Sequence, residues 1–151
     1  MATTGIAERH SFGPVASQPT VVLIARICLG AIFLMSGAAK LFDTAGTVQH
    51  MVAAGIPAAG TLVYVAAIAE ICGALAIMTG FLTRLGAAGL VVFLAITTVA
   101  FHHFWTLGGD EQKAQMINFM KNLAIIGGLG MLVATGAGRC SIDAKRRKPL
   151  A

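Results

Sequence analysis

Four runs of mostly apolar residues, each near the 20 or so that a helix needs to cross a bilayer, follow one another along a chain of 151 residues. They fall near residues 20–42, 57–78, 85–104 and 118–136. Strands of a membrane barrel alternate polar and apolar residues over about 10 positions, and a stretch such as Leu90-Val91-Val92-Phe93-Leu94-Ala95-Ile96 shows no such alternation. Only 11% of residues are charged, against about 25% in a soluble domain, so little chain is left for a soluble unit. The expected fold is all-α: a transmembrane four-helix bundle over 20–136, a polar N-terminal tail over 1–19 and a basic tail over 137–151. The lipid bilayer is its first partner.

The first 19 residues carry Glu8, Arg9, His10, Pro14 and Pro19 and lack the apolar core of a signal peptide, so the first run is expected to stay as an anchor. Four spans put both termini on one side. That side collects Arg9, Arg84, Arg139, Lys145, Arg146, Arg147 and Lys148, whereas the other holds Lys40, Lys113 and Lys121. Basic residues concentrate on the cytoplasmic side of short loops, which predicts cytoplasmic termini in a plasma (inner) membrane of bacterial type. Phe101-His102-His103-Phe104-Trp105 then closes the third span at the outer interface, where aromatic residues gather. The net charge of +5 rests largely on the juxtamembrane tail and has no interleaved aromatic surface, so no nucleic acid is expected as a partner.

Arg26 and Glu70 lie well inside spans one and two. A charge in hydrocarbon costs about 2.5–3.5 kcal/mol on insertion scales, so such residues pair, face the bundle or serve a site. With the span ends set level, Arg26 lies about 9 Å and Glu70 about 15 Å from the cytoplasmic end. An offset of about 6 Å predicts a guanidinium–carboxylate pair. It would either fix which helices meet or form a polar site for a quinone head group or a proton path. Cys28 and Cys72 follow two residues after each member, come out at similar depth and are expected to be inert packing residues, although a disulfide is geometrically conceivable.

A second polar group gathers at the outer ends: Lys40, Asp43, His102, His103, Asn118, Lys121 and Asn122. Asn118 and Asn122 share a helix face one turn apart. Neighbouring histidines point about 100° apart on a helix, so His102 and His103 do not suit one metal, and no metal site is expected. Lysines at helix ends commonly snorkel to the interface; an anion or head-group site is the alternative for this cluster.

Taken in order, these residues resemble the DoxX family of small four-span membrane proteins. The resemblance rests on Arg26-Ile27-Cys28-Leu29-Gly30 with Phe33, Gly37, Lys40 and Leu41, on Gly55-Ile56-Pro57, and on Ala69-Glu70-Ile71-Cys72-Gly73-Ala74. It continues through Thr79-Gly80, Thr83-Arg84, Asn118-Phe119-Met120-Lys121-Asn122-Leu123 and Gly136-Ala137-Gly138-Arg139-Cys140-Ser141-Ile142-Asp143. Membership implies an inner-membrane four-helix protein, and the relatives that name the family are subunits of a thiosulfate:quinone oxidoreductase. The resemblance therefore implies an accessory or structural subunit of a membrane redox complex, with a partner subunit or a homo-oligomer. The alternatives are a quinone-interacting oxidoreductase subunit, with Arg26 and Glu70 at the head group, and a small-solute or proton transporter. No covalently bound cofactor is expected; quinone is the candidate ligand.

Overall fold

The computed structural model describes residues 19–146; Arg147 and Lys148, and the N-terminal tail before Pro19, lie outside them. Among the described residues four helices are long and apolar enough to span a membrane: α1 (Pro19–Phe42), α3 (Ala59–Thr79), α4 (Thr83–Phe101) and α5 (Gly109–Thr135). Short α2 (Thr44–Ala53) and α6 (Ile142–Arg146) cap opposite ends, and a single 3-10 turn covers Phe104–Thr106. The described residues contain no strand. The spans alternate in direction, so Pro19 and the 136–146 segment share one end, the strap end, while α2 lies at the other.

Burial follows the helical period. Arg26, Gly30, Phe33 and Gly37 of α1, Val63, Ala67, Glu70, Ala74 and Ile77 of α3, and Ala87, Leu90, Leu94 and Thr98 of α4 each form one inward stripe. α1 packs along most of α3, α3 on α4 and α4 on α5, whereas α1 and α5 barely meet. The register of α1 on α3 is set by close approaches. A Cβ at Gly37 would lie 2.9 Å from the Ala67 carbonyl oxygen and 3.3 Å from Glu70 Cβ. Lower down, Gly30 faces Met78 and Ala74, and Arg26 faces Gly80. Small residues permit such approach in lipid, where apolar burial alone drives no association. Not every glycine serves this end: Gly89, Gly127 and Gly130 face open space.

Two sequence expectations are revised. The connection after span one is not a plain break, because Asp43 caps a helix there, its Oδ1 accepting from Gly46 N at 3.0 Å. That helix, α2, packs Met51 with Val48 against Ala59 and Val63 of α3. The fourth helix starts at Gly109 rather than near 118, since its first turns project beyond the apolar part; Asp110 and Glu111 sit in the first turn, where negative charge suits the helix dipole. The third apolar span, expected to end near 104, continues past the end of α4 at Phe101 through the histidine pair and the 3-10 turn to Thr106.

The segment after α5 is no free tail up to Arg146. Gly136 and Gly138 take positive φ (78° and 72°) and turn the chain back under the bundle. Asp143 then spans the α3–α4 turn. Its carboxylate accepts from Leu82 N at 2.9 Å, Thr83 N at 3.1 Å and Thr83 Oγ1 at 3.0 Å, capping α4, while its own N–H donates to Gly80 O at 2.8 Å.

Candidate functional site

The expected Arg26–Glu70 pair does not form. Arg26 is fully buried, yet its guanidinium turns toward the strap, donating from Nη1 to Ala137 O at 2.9 Å and from Nη2 to Cys140 O at 2.5 Å. The error lies in register. The two helices are not flush: α1 begins about one and a half to two turns beyond the end of α3, which puts Arg26 level with Gly80 rather than with the middle of α3. From Arg26 to Gly37, the residue packed at Glu70, is a rise of about 16 Å, far beyond a hydrogen bond. Arg26 thus ties the strap to α1.

Glu70 pairs with Lys40 instead. Lys40 Nζ lies 2.7 Å from Glu70 Oε2, and the side chains are 21% and 6% exposed, respectively. Ser36, one turn before Lys40, completes a triangle: Lys40 Nζ donates to Ser36 Oγ at 2.8 Å and Ser36 Oγ donates to Glu70 Oε1 at 3.1 Å. Each element is placed by the helical repeat. Ser36 and Lys40 share a face of α1, and Gly37 between them lets α3 approach closely enough for Glu70 to reach both. Lysine suits the role because its long stem can lie along the helix from a backbone position two residues before the end of α1.

The triangle forms one wall of a cleft of about 660 Å³, within the size range of small-molecule sites. It lies where α1 and α5 fail to close on each other, with Ile32, Phe33, Ala66, Phe93, Leu94 and Ile125 as apolar lining and α2 across its end. Of the residues picked out from the sequence, Lys40, Asp43, Glu70, His102, Lys121 and Asn122 line it. Asn122 is held by its Nδ2 donating to Thr98 Oγ1 at 3.0 Å, and His102 Nδ1 lies 2.7 Å from Gln115 Oε1. Lys121 Nζ bonds Asn118 Oδ1 at 3.0 Å, so Asn118 supports the lining without belonging to it.

His103 lies apart, edge-on to Trp105 at 6.4 Å, in an aromatic group with Phe104 and Phe119. Sequence reasoning missed Ser36, His50 and Thr97, which also line the cleft. The spacing of Ser36 and Lys40 was a usable signal. His50 had none, because it sits on a helix hidden in an apparent loop; it stacks on Phe101 at 5.2 Å and 13°. Cys28 and Cys72 are free and exposed rather than packed inside. Two residues along a helix is a turn of about 200°, which sends each to the face opposite its buried neighbour.

Four antiparallel apolar helices around a cleft with a half-buried lysine on a buried glutamate define a multi-pass integral membrane protein with a polar site inside its span. Residues 21–103 match the DoxX family. The chain belongs to that family. It is 38% identical over 128 residues to inner membrane protein YphA of Escherichia coli K12, covering 85% of this chain and 91% of that one. Inner membrane protein YqjF of the same organism is 39% identical over 122 residues, 81% and 88% of the two chains. A more distant likeness, 29% over 77 residues, is to the ER-derived vesicles protein ERV29 of Saccharomyces cerevisiae, of which it covers 25%. No solved structure matches the chain.

Proposed function

We propose that this chain is the membrane subunit of a redox complex in the inner membrane, with its termini cytoplasmic, and that its cleft holds a quinone head group. The observation that carries this reading is the cleft itself: apolar walls open between two spans, with hydrogen-bond donors at one end. A quinone ring with an apolar chain needs that combination. Its carbonyl oxygens accept hydrogen bonds, and Lys40 Nζ, Lys121 Nζ and the imidazoles of His50 and His102 can donate, while Ile32, Phe93 and Ile125 suit the ring and the start of the tail. A bound quinone supplies two-electron, two-proton redox chemistry. The protein's part is to orient the ring, to keep a cation facing its oxygens, and to hold a titratable carboxylate, Glu70, against that cation in a region of low dielectric.

In this reading the electrons come from a partner chain of the complex. The transporter reading is weaker: the half of the bundle between Glu70 and Arg26 is filled by Phe33, Ala74, Ile77, Leu90 and Leu129, which leaves no second gate.

Binding of a short-chain quinone to the purified protein, followed by titration calorimetry, tests the site. Lys40→Met and Glu70→Gln should each weaken binding. Equal affinity in both variants would remove the triangle from the site, and no binding to the wild type would reject the reading. Purification from native membranes in mild detergent should bring down a redox-active partner, and quinone reduction by that assembly, with and without thiosulfate, identifies the donor.

A further inference from the structure

The polar groups of the cleft form a pocket closed at its inner end. Glu70 lies about 16 Å from the start of α3 and about 14 Å from its end, near the middle of the span. Toward the α2 end, Glu70 bonds Ser36 and Lys40 of α1, and Asp43 before α2, His50 of α2, His102 after α4 and Lys121 of α5 line the same cleft. Asp43, His50 and Lys121 are exposed. Toward the strap end the chemistry changes abruptly. Phe33, Ala74, Ile77, Leu90 and Leu129 are buried and pack together as one cluster. Beyond them Arg26 is fully buried against Ala137 O and Cys140 O, so the strap seals that end.

We infer that Glu70 exchanges protons, and the cleft exchanges polar solutes, with water at the α2 end alone. The site is a one-sided port: a proton taken up or released at Glu70 appears on the α2 face, never on the strap face. Proton hopping needs a chain of hydrogen-bonding groups, and a layer of close-packed hydrocarbon side chains offers none. One-sided access rests on the cleft being the ligand site proposed above and deepens that reading, because it fixes the membrane face on which any proton from the ligand is released. With cytoplasmic termini this face is the outer one.

Substituted-cysteine labelling tests it in the full-length chain. In a Cys28→Ala/Cys72→Ala background, native Cys140, which is exposed on the strap, reports the strap face. Ser36→Cys and, separately, Thr97→Cys report the cleft; Ala74→Cys reports the apolar layer. A membrane-impermeant thiol reagent is added to spheroplasts and to inverted vesicles. Each preparation should label either Cys140 or the cleft position, never both, and Ala74→Cys should stay unlabelled in each. An impermeant carbodiimide should modify Glu70 only in the preparation that labels the cleft position. Labelling of Ser36→Cys or Thr97→Cys from the Cys140 side, labelling of Ala74→Cys, or no labelling of either cleft position from any side overturns the inference. No quinone enters the experiment, so one-sided labelling with no quinone binding would reject the head-group reading and leave one-sided access standing.

Discussion

Whether Glu70 answers to Lys40 or to Arg26 can be settled by two double-mutant cycles. Lys40→Met leaves a carboxylate only 6% exposed with no donor on Oε2. In soluble proteins an uncompensated buried charge costs about 3–5 kcal/mol. Glu70 can take up a proton and keeps its bond from Ser36, so about 2 kcal/mol is expected here. Glu70→Gln is milder. Lys40 retains Ser36 Oγ, can still meet an amide oxygen, and lies near enough to the helix end to turn outward, so about 1 kcal/mol is expected. The double change Lys40→Met/Glu70→Gln removes both charges, and its loss should fall short of the sum by about 1–2 kcal/mol. By contrast, Arg26→Met and Glu70→Gln sit about 16 Å apart along the bundle and should add to within about 0.5 kcal/mol. The assay is unfolding of the purified protein in mixed micelles by graded addition of a denaturing detergent, with helicity as the signal. Additive losses for the lysine pair, or coupling of more than about 1 kcal/mol for the arginine pair, would refute the register described above.

Three further outcomes follow from the geometry. Arg26→Met removes two charged-group hydrogen bonds to the strap, each worth about 1.5–3 kcal/mol; amide exchange over 136–146 should accelerate, and Arg26→Lys should not restore protection because one ammonium does not reproduce the two-pronged guanidinium. Asp143→Ala uncaps α4 and should cost about 0.5–2 kcal/mol, read as a lower thermal midpoint in detergent. Gly80→Ala should destabilise by at least about 1 kcal/mol, since φ is +75° and the new methyl meets Arg26 and Ser141, whereas Gly89→Ala, with open space around it, should be close to neutral; equal effects at the two positions would contradict the packing.

The four spans, their order and the antiparallel topology follow from the sequence by itself, because in lipid a run of about 20 apolar residues has few choices besides a helix. The presence of polar groups at one end was also readable, since Lys40, Asp43, His102, Lys121 and Asn122 interrupt apolar runs near their ends. Which charge meets which was not. Opposite charges at estimated similar depth suggested Arg26 with Glu70, but depth counted from span ends assumes flush helices. The true register depends on where Gly30, Gly37 and Gly80 let α1, α3 and the strap come together. That is a property of surfaces fitted in three dimensions, with no one-dimensional signature. The same holds for α2, whose helix is held partly by packing on α3, and for the strap, where Arg26, Gly80 and Asp143 meet across more than 100 positions of chain. Composition determined that the chain lives in a membrane; only tertiary packing decided that one buried charge closes the bundle while the other faces the cleft.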